Sequence, residues 1–195
     1  MRRRTLRAVT AAPWPDHLLT LEEWDALPED THRHCELAEG VLAVVPPPAA
    51  LHQLATHQLA AELNEQLPKE LVALPNVEIV VDARHPATVR IPDVVVTATK
   101  LVQGNPPRFD AADVLLAVEV VSPGTGRRDR VTKFAEYAEA GIPNYWVIKL
   151  DQPNTLTAYL LVDGDYEIVA EAADAVTLQG PAPVTVDVRT LASRR

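Results

Sequence analysis

The sequence predicts an α/β fold of the α+β kind, a central mixed β-sheet flanked by helices, and three stretches carry that expectation. Leu115 to Pro123 is an apolar run broken only by Glu119. Apolarity on both faces marks a central strand covered from both sides. Leu51, Ala55, Leu59, Leu63 and Leu67 recur at a four-residue spacing, the stripe of an amphipathic helix over 50–67 packed on a sheet. Asp163-Gly164 separates Thr155–Val162 from Tyr166–Ala170, and Asp-Gly suits the primed turns that join hairpin strands.

Taken in order, residues 1–17 lack periodicity, carry Pro13 and Pro15, and hold four arginines in the first seven positions, so a disordered basic tail is expected there. Residues 18–195 read as a single domain, since 195 residues fit one core comfortably. Thr20 ahead of Glu22, Glu23 and Trp24 predicts a capped short helix that Pro28 ends. Arg33 to Val45 reads as a β-hairpin turning at Ala38-Glu39-Gly40, with Gly40 supplying the positive φ, and Pro46 to Pro48 as a stiff connector. After the 50–67 helix, Pro68 closes the element. Asn76–Asp82 and Val89–Val96 follow as two strands around a His85-Pro86 turn, and Lys100 to Asp110 as a loop. The Glu119 strand ends at Ser122, Pro123 and Gly124, and a helix opens with the basic segment from Arg127. Its expected apolar face is Val131, Phe134, Ala135 and Ala138, with Gly141 as C-cap. Asn144 to Leu150 is another strand, and the weakly alternating tail from Thr177 is expected to cap a sheet edge.

The formal charge of -9 argues against a protein that coats DNA non-specifically, which needs a broad positive surface. A local basic track remains, with four basic residues and one acid between Arg127 and Lys133. A single cysteine, Cys35, excludes internal disulfides and points to a reducing compartment or to indifference to the redox state. No run approaches membrane-spanning length, and Ala8 to Ala12 is too short for a signal-peptide core. The expected location is cytoplasmic.

The chemistry suggested by the residues lies in two solitary acids. Glu119 on its apolar strand must be protonated, paired with a cation or bound to a metal, because an isolated buried carboxylate is costly. Asp93 precedes the β-branched run Val94–Val96, after Pro92. Two such acids on neighbouring strands would offer oxygens to a hard divalent cation, which activates water for phosphodiester hydrolysis. A nearby ammonium would stabilise the added negative charge, and Lys133 is the candidate. By helical spacing Lys133 lies roughly 160° from the centre of the expected apolar face, and Asp129 four residues earlier could hold it in a surface pair.

Four ordered blocks carry a resemblance to a known family: Arg90-Ile91-Pro92-Asp93, Val118 to Pro123 around Glu119, Lys133 with Tyr137, and Ala140 to Trp146. With Cys35 to Gly40 and Leu51-His52-Gln53, they make the chain, over roughly residues 18 to 190, similar to the Uma-type putative endonucleases of the PD-(D/E)XK restriction-endonuclease-like superfamily. The resemblance implies a restriction-endonuclease-like core with Asp93 and Glu119 as metal ligands, the Val120 carbonyl adding an oxygen, and Glu36 near the metal or orienting water. The superfamily lysine two residues after the glutamate is absent, since Val121 stands there; in this family the lysine falls on the following helix, which maps onto Lys133. Tyr137 would support that lysine or contact substrate, and His52 matches a position able to touch phosphate.

The expected function is thus a Mg²⁺-dependent endonuclease, with Mn²⁺ as a possible substitute, hydrolysing DNA phosphodiester bonds as a homodimer. Trp146 and Tyr159 are candidate interface anchors, though such aromatics more often pack in a core. The alternative is an inactive nuclease-fold module that binds nucleic acid or protein. His32, His34 and Cys35 lack a second Cys/His cluster to complete a zinc site.

Overall fold

A computed structural model of the chain describes residues 15–28, 35–121 and 127–193, with backbone alone for 127–130. Residues 1–14 of the basic tail expected over 1–17, the strand end at Ser122–Gly124, and His32 and His34 lie outside the described residues.

Helix α1 (Leu21–Asp25) forms because Thr20 and Glu23 cap it reciprocally: the Glu23 N–H donates to Thr20 Oγ1 at 3.2 Å, and the Thr20 N–H donates to Glu23 Oε2 at 2.9 Å. Strands β1 (Cys35–Ala38) and β2 (Val41–Val44) make the expected hairpin. Both turn residues take positive φ, 46° at Glu39 and 76° at Gly40. Helix α2 (Ala50–Gln66) buries Ala55, Leu59 and Leu63 of the predicted stripe and Leu67 at its C-cap, while Leu51 in the first turn is 57% exposed.

Strand β3 (Leu71–Pro75), which the sequence reading did not separate from its surroundings, precedes β4 (Ile79–Asp82). The single strand expected over Val89–Val96 is two: β5 (Thr88–Arg90) and β6 (Val94–Ala98) belong to different sheets. The chain crosses between them at Ile91-Pro92-Asp93, where proline has no N–H to give a ladder. The loop after β6 holds a short helix α3 (Thr99–Val102), strand β7 (Phe109–Asp110) and a 3-10 turn (Ala111–Asp113). Then come β8 (Val114–Val121), α4 (Arg127–Glu139) and β9 (Asn144–Lys149). The hairpin β10 (Thr155–Val162) and β11 (Asp165–Ala172) turns at Asp163-Gly164, both residues at positive φ. A last hairpin joins β12 (Ala175–Leu178) to β13 (Val184–Asp187).

The six-stranded sheet runs β11-β10-β9-β8-β6-β3, antiparallel except for β8 with β9, so the Glu119 strand is central as expected. A five-stranded sheet runs β2-β1-β5-β4-β7, with β4 and β7 parallel. One face of the larger sheet, through Leu116, Val118, Val120 and Trp146, packs under α2 and the last hairpin. The tail therefore covers a face through Leu178, Val184 and Val186 rather than capping an edge. The other face, through Val95, Ala117, Val121 and Tyr145, packs against Ile79, Phe109 and the Tyr137 side of α4. Trp146 is core rather than surface, at 1% exposure, and Tyr159 packs on the second cluster.

Gly40 is tied down on both sides. A Cβ there would meet Leu18 Cβ at 2.8 Å and the Leu19 backbone nitrogen at 2.9 Å, whereas Gly164, also left-handed, has nothing within 4 Å. Gly40→Ala should therefore cost about 1–3 kcal/mol and more than Gly164→Ala, read by urea denaturation. Equal losses would show that the packing around Gly40 yields freely.

Candidate active site

The site is built where the two sheets meet. Asp93 ends the crossover, one step beyond the Val94–Val118 pair, and so lies across from Glu119. Its Oδ2 accepts the Val120 N–H at 2.7 Å, taking the position a backbone carbonyl would hold if the β6–β8 ladder continued. The His52 Nε2 of α2 lies 3.2 Å from Asp93 Oδ1. The bond to Asp93 pushes the imidazole pKa up, against the opposing effect of burial, with the Asp93 charge adding to the rise.

From α4, Lys133 Nζ donates to Glu36 Oε1 at 2.9 Å and to both Glu119 oxygens at 3.3 Å. Tyr137, one turn along α4, donates its hydroxyl to Glu119 Oε1 at 2.8 Å. The two groups of residues meet on β8: the Glu119 side chain belongs to one and the neighbouring Val120 N–H to the other. The structure thus gathers Glu36, Asp93, Glu119, Lys133, Tyr137, His52 and the Val120 backbone around one segment of strand.

Lys133 corrects the expected face of α4. It is 6% exposed, while Val131 is 66% exposed and Ala135 lies at the surface. The inward stripe is Lys133, Tyr137 and, half-buried, Phe134 and Glu136. Phe134 and Tyr137 pack edge-on against Tyr145, with Tyr159 and Tyr166 beside Phe134. The helix turns its polar stripe inward because buried carboxylates wait there for a cation. Asp129, the alternative partner for Lys133, has no described side chain.

Burial sets the electrostatics. It drives the Glu119 carboxyl up, Lys133 pulls it back, and the Asp93 and Glu36 charges push again, leaving it raised to about 7. Burial pushes Glu36 up too, but Lys133 and Arg90 outweigh it and hold that carboxyl below its ordinary range. The Tyr137 phenol is raised by burial and by Glu119, so it stays a donor.

Two members of this network were not singled out in the sequence. Arg90, on β5, donates Nη1 to Glu36 Oε2 at 3.0 Å and grips Glu136 with two 2.7 Å bonds from Nε and Nη2. The signal was available: a lone arginine in an apolar strand, and a glutamate three residues after Lys133 on the same helical stripe. Val121, where the superfamily places its lysine, is 7% exposed in the apolar cluster. Cys35 is free and buried. Among the described residues no three His, Cys, Asp or Glu side chains converge as one metal-binding group, and no helix is long and apolar enough to cross a membrane.

Comparison with known families matches the model described as Uma2, putative restriction endonuclease, to residues 21–191 of the chain. The chain belongs to this Uma2 family. Its fold is similar to that of a putative nuclease belonging to DUF820 from Anabaena variabilis, solved as a crystal structure, with a TM-score of 0.68, 18% identity, and coverage of 89% of this chain and 97% of that one. No curated protein matches the chain. As a Uma2 protein it thus combines a nuclease-like fold with a buried lysine-carboxylate network at the seam of its two sheets.

The raised Glu119 pKa has a stability consequence. Unfolded, the carboxyl titrates near 4.5; folded, near 7. Stability contributed by a raised acid is complete below the unfolded value and lost as pH climbs through the folded one. Glu119→Gln cannot titrate, so in metal-free buffer its stability relative to wild type should rise between those two values and level off above about pH 7. A difference that stays flat with pH in denaturant titrations would contradict the burial described.

Proposed function

We propose that this protein is a divalent-metal-dependent endonuclease that hydrolyses DNA phosphodiester bonds at a PD-(D/E)XK-type site. The observation that carries the reading is the pair Asp93 and Glu119 facing across β6 and β8 beside a buried lysine. The donor set fits a hard cation. The Asp93 charge pushes the Glu119 pKa up, so the two carboxylates repel in a poorly hydrated place, and a cation between them would relieve that repulsion. Asp93, Glu119 and the Val120 carbonyl would hold Mg²⁺, with Mn²⁺ as substitute, and water would fill the remaining positions.

When bound, such an ion polarises a phosphoryl oxygen and lowers the pKa of water. The chain's own residues do the rest. The Val120 N–H and His52 fix the orientation of the Asp93 carboxylate, and Tyr137 fixes that of Glu119. Glu36 accepts a hydrogen bond from Lys133, and the Lys133 ammonium supplies positive charge to the phosphate as water adds to phosphorus and the bond to the leaving oxygen breaks. With the lysine arriving from α4, Val121 is free to serve the core.

DNA cutting on both strands calls for two such sites, and we propose a homodimer. Purified protein should sediment as a dimer and nick or linearise plasmid DNA with Mg²⁺ or Mn²⁺, and a chelator should stop it. Asp93→Ala and Glu119→Ala should lose activity by at least about 10³-fold with an unchanged circular dichroism spectrum, and Lys133→Met should lose about 10²–10³-fold. Alanine variants that cut as well as wild type would end the reading.

A further inference from the structure

The inward stripe of α4 carries three polar residues, Lys133, Glu136 and Tyr137, of which Lys133 and Tyr137 reach Glu119. Glu136 instead receives the guanidinium fork of Arg90, and the third Arg90 donor holds Glu36, which holds Lys133. The contacts close a ring: Arg90 on β5, Glu136 and Lys133 on α4, Glu36 on β1, and back to Arg90. Arg90 is buried, with 3% of its side chain exposed, and the Ile91 N–H adds a 3.1 Å bond to Glu36 from the same crossover.

Stability does not account for such a ring, because apolar side chains of similar volume often serve a buried position as well or better. Apolar packing would also set α4 differently: Val131 and Ala135, half of the face that hydrophobic spacing selects, are at the surface. The helix adopts the rotation that the polar stripe requires. A bidentate fork restricts both distance and angle, which a single point charge does not.

We propose that Arg90 and Glu136 are positioning residues for Lys133: their fork fixes the rotation of α4 and, through Glu36, holds the ammonium at Glu119. The inference rests on the reading above that Lys133 acts on the phosphate. Two readouts separate the claims. The first is DNA cleavage by Glu136→Gln and Arg90→Lys, in which kcat should fall about 10–100-fold while KM for DNA stays within about twofold. The second is the ¹⁵N signal of the Lys133 ammonium, assigned by its loss in Lys133→Met, which should be sharp in wild type and displaced or broadened in both variants.

The double variant Arg90→Met/Glu136→Leu guards against a merely structural effect. It should recover the thermal stability lost by either single change without recovering kcat. Recovery of both, or an unmoved Lys133 signal in Glu136→Gln, would overturn the proposal. If wild type fails to cut DNA, the nuclease reading falls, and the Lys133 signal in the variants still decides whether the fork positions the lysine.

Discussion

An ammonium group held between two sheets is the constraint on which the rest of this structure depends. Lys133 takes one carboxylate from β1 of the five-stranded sheet and another from β8 of the six-stranded sheet. At about 3 Å, two unit charges attract by roughly 5 kcal/mol at the effective dielectric suited to protein sites, while desolvating each ion costs several kcal/mol. Neither effect wins by much. What the arrangement secures is geometry: the two sheets and α4 must meet at one spacing for the charges to be matched.

The crossover at Ile91-Pro92-Asp93 makes that meeting possible. One short segment hands the chain from the smaller sheet to the larger, and its polar atoms serve the site on the way. Arg90 just before it and the Ile91 N–H hold Glu36, while Asp93 takes the Val120 N–H. Strand switching and site construction are therefore one structural event. Interrupting the ladder with proline leaves the Val120 N–H to Asp93, the carboxylate proposed to ligate a cation.

Much of this was legible in the residues. A solitary acid in an apolar run identified Glu119 and its central strand, local chemistry identified the α1 cap and both Gly-containing hairpins, and the family blocks brought Glu36 into view and strengthened Lys133. The rotation of α4 was not legible, because hydrophobic spacing assumes that buried means apolar, and here the buried stripe is polar. Nor was the break between β5 and β6, since both halves are β-branched and the reason for the switch is tertiary. Arg90 and Glu136 each carried a local hint, a lone arginine in an apolar strand and a glutamate on the Lys133 stripe, but their pairing across 46 positions leaves no local pattern. The last hairpin, weakly alternating in sequence, draws its stability from α2 and the sheet face it covers.

Membership of the Uma2 family and the nuclease-like fold agree with a site whose charges are arranged around Asp93 and Glu119. The most direct test is a crystal soaked in Mn²⁺ and read by anomalous scattering. The account predicts one peak bound by Asp93, Glu119 and the Val120 carbonyl at oxygen-ligand distances of about 2.1–2.3 Å, with Lys133 adjacent. A manganese ion elsewhere on the molecule, with Glu119 still held by Lys133 and Tyr137 alone, would contradict it.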